Sequence, residues 1–139
     1  MDVEMNKDLA SYFKSIGSAS GVLRVGLGGP ATDPSYSADK SVRFLKGEDG
    51  LYRGVEFNGR SYWASYGQKD YAVVKVVRIG EGYYYSVAGV TRYGTRAGIM
   101  WLSQNAQALS LGSTYLISWV DEGDGSVELS EISLVDVSS

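Results

Sequence analysis

The hydrophobic and polar positions of this chain change period several times, and the longest strand-like run lies at its middle. From Tyr71 to Ile79, and again from Tyr83 to Thr91, most residues are Val, Ile, Tyr, Thr or Ala. These types suit a pleated, half-buried surface. The glycines of Gly80-Glu81-Gly82 between the two arms predict a hairpin turn. On the first arm Tyr71, Val73, Lys75, Val77 and Ile79 share one face, and Ala72, Val74, Val76 and Arg78 share the other. Both faces are largely apolar, so both need a covering layer, and the hairpin is expected at the centre of a β-sandwich.

Shorter alternating runs flank it. Ser20 to Leu27 reads as a strand, and Ser41–Lys46 with Leu51–Phe57 reads as a hairpin across Gly47–Gly50. Asn58-Gly59 then joins Phe57 to the run Arg60–Tyr66, and Asn-Gly is the strongest two-residue hairpin signal. Ser113–Val120 and Ser126–Val137 complete the strands. In the last of these, Val127 and Leu129 are out of phase with Ile132 and Leu134, which predicts a bulge near Glu131.

A helical period appears twice. Leu9, Tyr12, Phe13 and Ile16 form an amphipathic stripe over Asn6–Gly17, with Asn6 as N-cap and Gly17 beyond the last turn. Ile99, Leu102, Ala106 and Leu109 form a second stripe with Thr95 as its cap, but Gly98 weakens it to a crossover with one helical turn near 97–109. The expected fold is therefore all-β: an antiparallel, jelly-roll-like β-sandwich forming a single domain over 1–139. Its helical N-terminal segment spans 1–17 and its sandwich 18–139.

Composition narrows the chemistry. The 139 residues are 44% hydrophobic and 21% charged, enough apolar material for a core, and include 18 Gly and 11 Tyr. With neither Cys nor His, the chain lacks disulfides, thiol nucleophiles, imidazole bases and the usual zinc ligands. A hard ion with oxygen ligands, such as calcium, stays compatible with the residue set. No run reaches the length of a membrane span. Met1–Asn6 is acidic and polar, unlike a secretory leader, so the expectation is either a mature extracellular or cell-surface chain or a cytoplasmic one.

Charge is unevenly placed. Residues 1–96 hold all thirteen basic residues against ten acids, net +3, whereas 97–139 hold six acids and no base, net −6. This polarity suits either a solvated acidic face, head-to-tail attraction between copies, or a cation site.

The candidate cation site is Asp121-Glu-Gly-Asp-Gly-Ser-Val-Glu-Leu-Ser-Glu131. With Gly125 at position 6 of an EF-hand-type loop, Glu122, Asp124, Val127 and Glu131 fall at positions 3, 5, 8 and 12. Val120 then occupies position 1 without a side-chain oxygen, and Asp121 stands one residue out of register. The candidate metal ligands are thus Asp121, Glu122, Asp124 and Glu131, and the competing expectation is an acidic β-hairpin turn.

A second candidate surface is aromatic. Alternation places Tyr62 and Tyr66 on one face and Trp63 on the other, so one set enters the core and the other faces a sugar, a base or a protein partner. Gly26-Leu-Gly-Gly-Pro-Ala31 has the spacing of a dinucleotide fingerprint, but Pro30 and Asp33-Pro34 follow where a helix must start, which excludes that reading. No pattern pairs two carboxylates for hydrolysis, so no enzyme activity is expected. The dispersed bases and a pI of about 4.9 argue against nucleic acid as a partner.

Tyr83-Tyr-Tyr-Ser-Val-Ala-Gly-Val, Tyr93-Gly-Thr-Arg-Ala-Gly and Trp119-Val-Asp-Glu-Gly-Asp-Gly together give a Gly/Tyr-rich, cysteine-free style. In this the chain resembles the small extracellular filament or tube subunits of heat-loving archaea, the bundling-pilus and cannula type. The resemblance implies a self-assembling structural subunit joined to other copies of itself by donation of a terminal strand, with calcium between subunits. It places the donor in the segment through Ile16 or in the last strand, and the ion on Asp121, Glu122, Asp124 and Glu131. The last apolar segment, Ser130–Val137, has no Lys or Pro to guard an edge. The alternatives are a monomeric carbohydrate- or protein-binding module and a viral structural protein.

Overall fold

A computed structural model describes residues 23–27, 42–79 and 82–138. The expected N-terminal helix of 6–17, with its proposed strand-donor role, lies outside these residues, as does most of the excluded nucleotide fingerprint.

The central hairpin forms as the pattern predicts. Strands β5 (Lys69–Ile79) and β6 (Gly82–Gly89) pair antiparallel from Ala72↔Gly89 to Ile79↔Gly82. Strand β7 (Thr114–Val120) pairs antiparallel along the other side of β5, and β8 (Ile132–Ser138) pairs antiparallel with β7. Strand β1 (Leu23–Leu27) joins β6 in the parallel sense, giving a five-stranded sheet of order β1-β6-β5-β7-β8. The expectation of a wholly antiparallel, jelly-roll-like arrangement is corrected by this pair. A parallel partner needs a long connection, and the more than forty residues between β1 and β5 provide one.

Those intervening residues include a second, three-stranded antiparallel sheet: β2 (Val42–Lys46), β3 (Tyr52–Phe57) and β4 (Arg60–Trp63). At the β3–β4 turn Asn58 has φ 49° and Gly59 φ 81°. Two consecutive positive φ values define the turn type that matches strand twist, as Asn-Gly predicts.

The all-β expectation fails between β6 and β7. In place of one turn near 97–109 there is a 14-residue helix, α1 (Arg92–Asn105), continued by a 3-10 turn over Ala106–Ala108. The cap is Thr91 rather than Thr95: the Thr91 hydroxyl oxygen accepts from the Tyr93 amide at 3.3 Å. Thr95 is buried one turn in and donates its hydroxyl to the Thr91 carbonyl. Gly98 weakens a helix in isolation, but here its bareness lets α1 lie against the sheet. A Cβ at Gly98 would stand 2.6 Å from Val87 Cγ1 and 2.9 Å from Ala72 Cβ. Packing overrides the local propensity cost of about 1 kcal/mol.

The doubly apolar β5 is covered on both faces, by unlike layers. Toward α1, Ala72, Val74, Val87 and Ile117 cluster with Ile99 and Leu102. On the opposite face Tyr71, Val73 and Leu116 cluster with Val42, Val55 and Phe57 of the small sheet. A third cluster at the helix start joins Ala97 and Met100 to Trp119 and Val127. Among the described residues no helix is long and apolar enough to cross a membrane.

The phase break near Glu131 has a different form from the expected bulge within one strand. Residues 121–128 form a loop and Leu129–Glu131 a 3-10 turn, so β8 starts only at Ile132. The bulge lies further on: Leu116 pairs with Asp136 and Ile117 with Leu134, leaving Val135 as the extra residue.

Candidate metal centre and aromatic surface

The acidic loop between β7 and β8 is held at both ends. Val127, 4% exposed, anchors it in the cluster with Trp119 and Met100. Gly123 (φ 114°) and Gly125 (φ 72°) make the reversals that side chains resist. Asp121 bends back over the turn, both its carboxylate oxygens accepting from the Gly125 amide at 3.1 and 3.2 Å. Asp124 Oδ1 accepts from the Ser126 amide at 3.0 Å.

Glu131 organises the interior of the loop. Only 6% exposed, it accepts at Oε1 from Trp119 Nε1 (3.3 Å) and the Glu128 amide (2.9 Å), and at Oε2 from the Glu122 amide (2.5 Å). The Glu128 carboxylate returns a bond to the Glu131 amide, closing a reciprocal capping box around the 3-10 turn.

Oxygen atoms of Asp121, Asp124 and Glu131 lie within 4.8 Å of one another, a separation a divalent ion with oxygen ligands can bridge. Of the four ligands expected from sequence, this grouping holds three. Glu122 is exposed, and its backbone amide, not its carboxylate, bonds to Glu131. Asp121, one step out of the EF-hand register, is inside the grouping, because a loop closed by Asp121 and Glu131 does not follow EF-hand geometry.

A fifth acid, Glu128, escaped the sequence reading. Its carboxyl is hydrogen-bonded to Asp124, and this bond, with the Asp124 charge, pushes Glu128 up to about 7. The same bond from Glu128, together with the Ser126 amide, holds Asp124 below the ordinary carboxylate range. The charges of Glu131 and Glu122 raise Glu128 further. Charge density, six acids and no base after residue 96, was the available sequence signal.

The three aromatic residues singled out from sequence occupy different settings. Tyr62 is half-buried and leans on Tyr71, ring centroids 5.3 Å apart, at the edge of the inter-sheet cluster. Trp63 points the other way, 53% exposed, over its cross-strand partner Gly54. A Cβ there would meet the indole at 2.8 Å, so the ring covers a bare glycine on the outer face of the small sheet.

Tyr66 lies past the end of β4 in the turn to β5 and is 56% exposed. Its ring stands edge-on to Tyr93 at 5.2 Å, and Tyr93 stacks on buried Trp119 at 5.2 Å and 3°. The Arg92 guanidinium lies over both tyrosines, 5.2 Å from Tyr93 and 5.9 Å from Tyr66. These rings connect the start of α1 to the acidic loop through Trp119 and Glu131.

Another carboxylate was invisible in the sequence. Asp70, fully buried beside Thr91, accepts from the Thr91 hydroxyl and from the amides of Tyr71 (2.7 Å) and Thr91 (3.4 Å). The Gly94 amide adds a further bond, which ties Asp70 to the start of α1. Burial nevertheless pushes its pKa up, against the opposing pull of these bonds. Its arrangement is that of a structural clamp between β5 and α1. No protein-family model, no curated protein and no solved structure matches this chain.

Proposed function

We propose that this chain is a non-catalytic structural subunit that assembles with copies of itself through the open edges of its five-stranded sheet. The carrying observation is β8: it ends the strand order, holds no Lys, Arg or Pro, and exposes Leu134, Val135 and Val137 at 47%, 39% and 42%. Leu134 and Val137 pair with Ile117 and Tyr115, so they continue the apolar face that α1 covers over β5, β6 and β7. An apolar strip along the last strand of a sheet is a template for an added strand.

The opposite end of the sheet is β1. A β8-to-β1 contact between copies joins the acidic C-terminal part to the net basic N-terminal part, is heterologous, and propagates into a filament or tube. In this reading the two sheets form a sandwich-type subunit at a cell surface. A calcium ion bridging Asp121, Asp124 and Glu131 strengthens the assembly.

Sedimentation velocity over a wide concentration range, with negative-stain microscopy, tests assembly. The expected result is a mass ladder or filaments, abolished by Leu134→Lys with Val137→Lys while circular dichroism stays unchanged, since both positions are exposed. A single monomeric species at every concentration, with and without calcium, overturns the reading. Titration calorimetry after chelation tests the ion separately, and no heat at millimolar calcium removes it.

A second reading has its own support. The bulge at Val135 and the acid Asp136 in mid-strand are devices that discourage edge pairing. A stable monomer would therefore favour a binding module that uses exposed Trp63 and Tyr66.

A further inference from the structure

We infer that Asn58 is a site of spontaneous deamidation, and that its conversion to a carboxylate detaches the β3–β4 turn from β8. Three asparagines occur in the chain, and only Asn58 precedes a glycine; Asn6 precedes Lys7 and Asn105 precedes Ala106. Both Asn58 and Gly59 are exposed, and they stand outside the ladder, which closes at Phe57↔Arg60. Gly59 has no Cβ to obstruct the approach of its nitrogen to the preceding side chain. Asn105, by contrast, is half-buried at the end of α1, and the residue after it, Ala106, carries a Cβ.

The reaction needs only water as co-reactant. The Gly59 backbone nitrogen gives up its proton and bonds to Asn58 Cγ. The tetrahedral centre then expels the side-chain nitrogen as ammonia, leaving a five-membered succinimide. Water adds to either imide carbonyl, breaking one C–N bond, and yields aspartate or isoaspartate. No electrons are exchanged with any other group.

The consequence follows from what Asn58 holds. Its Nδ2 donates to Asp136 Oδ2 at 3.1 Å and to the Val137 carbonyl at 3.4 Å, tying the small sheet to the edge strand of the large one. Deamidation removes the donor and sets a second carboxylate against Asp136. A neutral-to-charged hydrogen bond thereby becomes a like-charge contact. The isoaspartate product also adds a methylene to the turn backbone. This inference concerns the intact subunit and holds whether or not copies associate.

The test uses the full folded chain at mildly alkaline pH. Peptide mass mapping with isoaspartate-specific methylation is expected to find the amide-to-acid mass gain at Asn58 and not at Asn105. If Asn58 stays intact for a time that converts it in the urea-unfolded chain, the turn protects it and the inference fails.

Hydrogen exchange of β8 in Asn58→Asp and Asn58→Gly tests the consequence. Glycine accepts the positive φ, so Asn58→Gly reports the lost donor alone. Exchange several-fold faster in Asn58→Asp than in Asn58→Gly supports repulsion of Asp136. Equal or slower exchange overturns the detachment.

Discussion

The indole Nε1 of Trp119 donates to Oε1 of Glu131 at 3.3 Å, joining the largest fully buried side chain to a carboxylate that is itself 94% covered. Trp119 is also stacked on Tyr93, so this one bond links the helix start to the acidic loop. Among the described residues the donors to Glu131 are all N–H groups: the indole and the Glu128 and Glu122 amides. A glutamine there must turn an NH2 group toward one of them. Glu131→Gln is therefore expected to cost about 1–3 kcal/mol, and Glu131→Ala, which orphans the buried indole, about as much or more. Urea unfolding followed by Trp fluorescence measures both, and an unchanged midpoint for Glu131→Ala would show that the loop holds its form without the carboxylate.

Glu128 gives the loop a pH dependence of definite sign. Its folded value of about 7 lies above the ordinary 4.5, so the folded state holds the proton more tightly. Its contribution to stability is complete below the unfolded value and is lost as pH rises from about 4.5 through 7. Asp124, whose value is lowered by the same bond, contributes in the opposite sense, above its unfolded value of 3.8 and fading on acidification. Glu128→Gln keeps a donor for Asp124 without a titrating proton. It is expected to flatten the upper part of the profile, read by urea midpoints or by NMR titration of the Glu128 carboxyl. A wild-type midpoint that does not change between pH 4.5 and 7 contradicts this.

How legible this molecule was depended on whether a feature was local. The β5–β6 hairpin and the Asn58-Gly59 turn follow from period-two alternation and from residues that accept positive φ, both readable in short windows. Helix α1 is longer than the sequence predicts because Gly98 counts against a helix on propensity alone. Its value lies in contact with Val87 and Ala72, which are distant in sequence or across a turn. The parallel β1–β6 pair and the position of Asp70 against Thr91 depend on chain paths of many residues and leave no periodic trace. In the acidic loop the sequence located the segment and the acids Asp121, Asp124 and Glu131 that the fold brings together. The pairing of Asp124 with Glu128 and the three N–H donors that hold Glu131 arise from the three-dimensional turn.

Gly98 offers a direct contest between propensity and packing. In an exposed helix, replacing Gly with Ala gains about 1 kcal/mol. Here the added methyl would meet Val87 Cγ1 at 2.6 Å and Ala72 Cβ at 2.9 Å, both in the fully packed face of the sheet. Overpacking of this kind costs about 1–3 kcal/mol. Gly98→Ala is expected to lower stability, and Gly98→Val to lower it further or prevent folding. Thermal or urea denaturation decides the sign, and a gain in stability for Gly98→Ala would mean that α1 rides higher over β5 and β6 than described.

Asp70 brings the same reasoning to a buried charge. Removing its carboxylate in Asp70→Ala leaves the Thr91 hydroxyl and the amides around the helix start without an acceptor, an expected loss of roughly 2–4 kcal/mol. Asp70→Asn is the more informative variant, because it keeps one carbonyl acceptor and cannot ionise. Desolvation raises the pKa of Asp70, so the folded state favours its neutral form. The stabilisation this gives is full below the unfolded value and is lost as pH climbs through the folded value. The stability gap between wild type and Asp70→Asn should accordingly narrow as pH rises across that interval. Urea midpoints of both proteins at acidic and neutral pH test this. A gap that widens with pH would instead mean that the donors at the start of α1 outweigh burial and stabilise the ionised carboxylate.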